Sequence, residues 1–343
     1  MKRQAVTLKD VARAANVSRS TASDALSGTG RMTDATRQAV LDAARRLSYR
    51  PNLVARGLRT GAVRSIGLHH VHAGDRFASD YFREFVTGAL EGTQAHDYDL
   101  TLLSSNPQVP RNLIPRVDGV IIADPIADDL RARQLLEAGL PIVAGEHYPP
   151  GVPGSPIVVA DHERALREIL DHALDQGITH PAFIGPDANS GWGVLLRTTF
   201  LAWCQERGLP GTTRQSRFGN TDTDEHEAQV RQLLAAEPAT DLLIASSEPI
   251  VRGALAALRH LGRTPGRDIL LACCGDSPTL AITSPAITAI DMHPRALGQE
   301  CARLLIHMIE HQGQAPRQRT VVPAETHWRD STTRHPTPGR TPR

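Results

Sequence analysis

Short apolar runs alternate with longer amphipathic stretches through most of the chain. Runs at 65–69, 99–103, 119–123, 141–144, 157–159, 182–184, 242–245 and 269–273 read as buried strands. Stretches at 81–95, 128–138, 162–176, 195–206, 224–236, 250–261 and 294–311 carry helical periodicity. This alternation predicts parallel sheets covered by helices on both faces. Two such sheets of about equal length give an α/β bilobed body.

The first fifty residues follow another pattern. Thr7-Leu8-Lys9-Asp10 is a helix start, followed by Leu8, Val11, Ala12 and Ala15 on one face. Asn16-Val17 makes a tight turn, Ser18 caps a second helix over 19–26, and 27–30 ends it. Thr33 or Asp34 caps a third, with Val40, Ala43, Ala44 and Leu47 at i, i+3, i+4 and i+7. Two short helices joined by a tight turn and braced by a third predict an all-α helix-turn-helix head.

Charge sharpens this division. Residues 1–60 hold twelve Lys and Arg against four Asp, a net +8, while the remainder holds 26 basic and 33 acidic groups, a net −7. A basic head on a mildly acidic body suits a polyanion partner; a bundle that uses the same packing for a protein partner is the alternative. The helix-turn-helix geometry places the second helix in the major groove of duplex DNA, with Arg19, Ser20 and Asp24 toward base edges and Thr21 and Ser23 toward phosphates or bases.

The motifs T-L-x-D-V-A-x-x-A-x-V-S at 7–18, T-R-x-x-V at 36–40, L-x-Y-x-P-N at 47–52 and A-x-x-L at 55–58 resemble the LacI/GalR family of bacterial repressors. The resemblance covers about residues 6–330. It implies that Arg19, Ser20 and Asp24 read operator bases, with Thr7, Ser18, Thr21 and Ser23 beside them. Asp24 departs from the family's usual arginine; a carboxylate can accept from a cytosine amino group. After Pro51, the segment Asn52–Leu58 is too short to be a stable helix alone. The resemblance implies that it pairs with its copy on DNA, with Asn52 and Ala55 at the duplex and Leu58 wedged into a minor-groove step.

The resemblance also makes the body periplasmic-binding-protein-like: two doubly wound parallel sheets, three crossings near 160–164, 288–294 and 321–324, and a ligand between the lobes at strand C-terminal ends. The expected ligand residues are Asp80, Phe82, Glu146, Asp161, Trp192, Arg197, Ser247, Glu248 and Asp276. Arg197 heads a stretch similar to the family's R-x-x-G-F. Several acids with one arginine favour a sugar-like ligand over an anion. Trp192 offers a stacking face or packs at the hinge.

The expected domains are therefore a head at 1–50, a hinge at 51–62, a body at 63–330 and a disordered Thr/Pro/Arg-rich tail at 331–343. Lobe 1 comprises about 63–162 with 292–322, and lobe 2 about 163–291 with 323–330. His69-His70-Val71-His72 reads as a polar cleft edge rather than a metal site, since no further ligand arrives at zinc spacing. Cys273 and Cys274 read as buried small hydrophobes. No phosphate loop, nucleophile elbow or H-E-x-x-H occurs, so no enzyme, cofactor or metal is expected. No run of eighteen apolar residues and no apolar leader occur, so no membrane partner is expected and the cytoplasm is the expected location. Together these features predict a homodimeric regulator, a repressor, on pseudopalindromic double-stranded operator DNA. Its affinity is set by a small polar effector, a carbohydrate. No leucine-heptad tail is present to join dimers into tetramers. A solute-binding protein without DNA function is the alternative, as is a regulator that activates or has lost its effector response.

Overall fold

The computed structural model describes residues 6–49, 62–71, 77, 79–106, 116–152 and 154–334. The chain divides into two compact units, Met1–Val63 and Arg64–Arg343.

Among its described residues the first unit holds three helices, α1 (Leu8–Ala14), α2 (Arg19–Ser27) and α3 (Asp34–Arg46). Their starts are chemically specified. The Thr7 amide donates to the Asp10 carboxylate at 2.9 Å, and the Ser18 and Thr33 hydroxyls accept from the amides of Thr21 and Thr36. Asn16 takes a positive φ of 52° at the turn between α1 and α2. Val11, Ala12, Ala22, Ala25, Val40, Ala43 and Ala44 form the small core.

The second unit contains two six-stranded sheets. Lobe 1 has the order β11-β5-β4-β3-β1-β2, built from β1 (Ser65–His69), β2 (Asp99–Leu102), β3 (Gly119–Ala123), β4 (Ile142–Gly145), β5 (Ile157–Ala160) and β11 (Arg319–Val322), all parallel. Its helices are α4 (Asp80–Gln94), α5 (Leu130–Glu137) and α11 (Pro294–Glu310). Lobe 2 has the order β12-β10-β9-β8-β6-β7, built from β6 (Pro181–Pro186), β7 (Thr212–Ser216), β8 (Leu242–Ala245), β9 (Leu270–Cys273), β10 (Thr288–Asp291) and β12 (Glu325–His327). Only β12 runs antiparallel there. Its helices are α6 (His162–Asp175), α7 (Gly191–Arg207), α8 (Thr223–Ala236), α9 (Glu248–His260) and the short α10 (Pro278–Ala281). The chain passes between the sheets after β5, after β10 and after β11. The central strands β1, β3 and β4 of lobe 1 and β6, β8 and β9 of lobe 2 are buried along their length, as parallel strands covered on both faces must be.

Three expectations change. The disordered tail does not begin at 331: Ser331 and Thr332 are buried, the Ser331 hydroxyl donates to the Leu271 carbonyl at 2.6 Å, and Thr332 meets the Thr288 hydroxyl at 2.6 Å. Those bonds give the polar side chains partners inside lobe 2, and 335–343 lie outside the described residues. Within the histidine run, His69 and His70 do not form a cleft edge either, and His72 lies outside the described residues. His69 and His70 are fully buried; His69 Nε2 lies 2.7 Å from Asp129, and His70 Nε2 lies 3.4 Å from Asp124. Asp129 in turn caps α5 by accepting from the Ala132 amide. Finally, α7 starts at Gly191, four residues before the predicted start, because the Ser190 side chain caps it there. Cys273 and Cys274 are buried thiols, and burial pushes the Cys273 pKa up to about 12. No helix among the described residues is long and apolar enough to cross a membrane.

Candidate functional site

The first candidate surface is the exposed face of α2. Arg19, Ser20 and Asp24 are exposed on it. Ser18 and Thr21 are bound to each other at the helix start, their hydroxyls 2.8 Å apart. Ser23 does not join this face. It is 6% exposed, turned inward beside Ala22, because α2 buries one side against the other two helices. Thr7 is exposed and tied to Asp10. Asn52, Ala55 and Leu58 lie outside the described residues.

The second candidate is a cavity of about 350 Å³ between the lobes. It opens where strands end: Asp124 follows β3, Glu146 follows β4, Ser246-Ser247-Glu248 follow β8, Gly275-Asp276-Ser277 follow β9, and Met292 follows β10. Asp80 and Tyr81 reach it from the start of α4, Trp192 from the start of α7, Arg252 from α9, and Phe218 and Thr221 from the loop after β7.

Five carboxylates and one guanidinium line it among the described residues. Each carboxylate has a partner. Asp80 pairs with Arg83, Asp124 with His70 at 3.4 Å, and Glu248 with Arg252 at 3.4 Å. Asp276 accepts two bonds from Arg329, at 2.8 and 2.7 Å, and stands 2.6 Å from His327. Burial alone would raise the Asp276 pKa, but the Arg329 and His327 bonds outweigh it and hold the carboxyl below the usual range. Glu146 is 2% exposed and sits 2.9 and 3.0 Å from His162 Nε2. There too burial acts upward, and the neighbouring imidazoles, His162 first, outweigh it and bring the pKa to about 2.

Of the sequence-predicted ligand residues, Asp80, Glu146, Trp192, Ser247, Glu248 and Asp276 converge on the cavity. Phe82, Asp161 and Arg197 do not line it. Phe82 is 1% exposed in the core of lobe 1, and its neighbour Tyr81 supplies the aromatic wall. Asp161 precedes α6 and accepts from Arg164 at 3.1 Å. Arg197 donates to the Pro186 carbonyl at 3.4 Å. The reason lies in helix phase. In R-x-x-G-F the arginine precedes the aromatic by four residues, but Arg197 precedes Phe200 by three, and buried Leu196 holds the fourth place. One residue rotates a helical side chain by about 100°. Arg252 is the guanidinium that reaches the cavity instead.

One rim of the cleft is stitched shut. Ile126 forms an antiparallel bridge to Ser190, and the Ala127 amide donates to the Asn189 carbonyl at 2.9 Å. The Asn189 side chain donates to Asp128 at 2.7 Å and accepts from the Asp128 amide at 3.1 Å. Gly191 lies so close to the other lobe that a Cβ would fall 2.2 Å from the His147 carbonyl oxygen, which only glycine permits.

Comparison with known proteins bears on both surfaces. Residues 7–52 match the model of bacterial regulatory proteins, lacI family, and residues 170–332 match a periplasmic binding protein-like domain. The transcriptional regulator AglR of Rhizobium meliloti is 30% identical over 325 residues, covering 91% of this chain and 90% of that protein. The regulator CelR of Thermobifida fusca is 26% identical over 317 residues, covering 90% and 93%. Among solved structures, a CelR–cellobiose complex superposes with a TM-score of 0.69 at 25% identity, covering 95% of this chain and 99% of that one. A lac repressor dimer bound to operator and an anti-inducer shares the fold at a TM-score of 0.80 and 21% identity, covering 96% and 100%. A head of three described helices with an exposed second helix, a two-lobed body with a cavity at its strand ends, and kinship along nine-tenths of the sequence lead to one conclusion: the chain belongs to the lacI family of bacterial regulatory proteins and is a DNA-binding transcription regulator.

Proposed function

We propose that the protein is a homodimeric repressor whose hold on a pseudopalindromic operator is set by a neutral saccharide taken between its lobes. Arg19, Ser20 and Asp24 meet base edges in the major groove, with Asp24 accepting from a cytosine amino group, while Thr7, Ser18 and Thr21 approach phosphates. Asn52, Ala55 and Leu58 act at the operator centre through the paired hinge. Ligand binding shifts operator affinity only by the difference in its affinity for the two lobe arrangements.

The observation that carries the ligand class is the cavity wall. Its five carboxylates repel an anion, and its Arg252 is already paired with Glu248. Carboxylates accept from sugar hydroxyls, and Tyr81, Trp192, Phe218 and Met292 offer apolar faces to ring C–H groups. CelR, a relative of similar length, has been solved with cellobiose.

The test is a thermal-shift screen of the full chain with cellobiose, glucose, glucose 6-phosphate and adenosine, followed by binding to its own promoter DNA with each hit. A ligand at a hundredfold excess over Kd stabilises by about 2.7 kcal/mol. A neutral saccharide is expected to raise Tm and to change promoter affinity. A shift with the sugar phosphate alone sinks the ligand assignment. Specific promoter binding that survives removal of residues 1–60 sinks the head assignment.

A further inference from the structure

Glu146 and Trp192 face the cavity from different lobes, and His162 stands between them at the first crossing, 1% exposed. The Trp192 indole N–H donates to His162 Nδ1 at 3.3 Å. An indole nitrogen is donor only, so Nδ1 must carry no proton. The neutral ring then holds its proton on Nε2, which lies 2.9 and 3.0 Å from the two Glu146 oxygens and donates to that carboxylate. His147, the other imidazole near Glu146, stands 3.6 Å away, beyond hydrogen-bond range. The shortest contacts that orient Glu146 therefore come from His162. The His162 and Trp192 rings also meet edge to face, their centroids 6.0 Å apart.

We propose that His162 is a positioning residue for ligand binding. Its Nε2–H imidazole fixes the direction of the Glu146 carboxylate and the plane of the Trp192 indole at once. A hydroxyl acceptor from lobe 1 and a stacking face from lobe 2 are thereby set as one unit. The role does not depend on the ligand's being a saccharide; any molecule that uses both walls meets the same constraint.

The experiment uses the full chain labelled with 15N-tryptophan, whose three indole signals are assigned with Trp192→Phe. His162→Phe keeps a ring but offers neither donor nor acceptor. It should shift the Trp192 indole N–H signal and speed its exchange with water about tenfold, leaving Trp203 and Trp328 unmoved as the check on folding. His162→Gln offers one donor and one acceptor and should keep the wild-type signal. An unmoved Trp192 signal in His162→Phe, or a His162→Gln spectrum like that of His162→Phe, overturns the proposal. In a second arm, calorimetry with cellobiose should give a Kd about tenfold weaker in His162→Phe and within about threefold of wild type in His162→Gln. An unchanged Kd in His162→Phe also overturns it. Wild-type protein that ignores cellobiose counts against the saccharide assignment, and the indole arm still decides the role of His162.

Discussion

The two lobes share a strand order but present their carboxylates to the cavity differently. In lobe 2, Asp276 is held by Arg329 and His327, both from the chain around β12 in the same lobe. In lobe 1, Glu146 is held by a neutral imidazole at a crossing, and that imidazole is itself bound to an indole of lobe 2. A permanent cation within one lobe sets its acid whatever the angle between lobes. A donor tied across the cleft sets its acid only when the lobes are together. Lobe 2 thus brings a wall set by its own residues, whereas the wall of lobe 1 is held through an imidazole bonded to the other lobe.

This contrast can be attacked most strongly at Arg329. Arg329→Met leaves Asp276 largely buried without its cation and should cost about 3–5 kcal/mol in urea unfolding. A loss below about 1 kcal/mol would mean that Asp276 is served by water and that lobe 2 is not preset. Acid comes next. Glu146 has its pKa lowered from an ordinary 4.5 to about 2, so its contribution is whole above 4.5 and fades as pH falls toward 2. Glu146→Gln should flatten that part of the stability curve while the slope due to Asp276, lowered in the same direction, persists. A curve unchanged in Glu146→Gln would remove lobe 1 from the comparison.

Gly191→Ala should act on closure alone. Its Cβ would strike the backbone of His147 and Tyr148, at 2.2 and 2.5 Å, so the lobes must part. Overpacking of this kind costs about 1–3 kcal/mol. Small-angle scattering should show a larger radius of gyration, and ligand affinity should fall about tenfold. The smallest effect belongs to Asn189→Ala on the exposed seam. It should cost under about 1 kcal/mol, seen as a slight weakening of ligand binding.

Some of this was written plainly in the sequence. Thr7, Ser18 and Thr33 mark helix starts by their chemistry, and the six buried central strands are continuous apolar runs. Three of the four edge strands were silent: Thr212–Ser216, Arg319–Val322 and Glu325–His327 are polar on at least one face and have no apolar run to betray them. β10, Thr288–Asp291, opens on a buried Thr and closes on Asp; Thr288 is satisfied by Arg329, Ser331 and Thr332 from a distant segment, and Asp291 accepts from the His293 amide. In the cavity, position after a strand was enough to find Glu146, Ser247, Glu248 and Asp276. It failed at Asp161, which follows β5 but turns to Arg164, and where a helix decides direction, as at Phe82 and Arg197. Arg252 did leave a signal: Glu248 and Arg252 are spaced i, i+4 at the start of a helix, which puts the guanidinium beside an acid already expected in the cleft.

Glu146 has one more property. Its φ is 98°, a region that costs a residue with a side chain about 1–3 kcal/mol and costs glycine nothing. The peptide after β4 is therefore wound like a spring, kept under load by the bonds its side chain makes to His162. That load sits beside the strand pair β4–β5, within one residue of the cavity wall, so any change in how His162 holds the carboxylate is felt by the backbone itself.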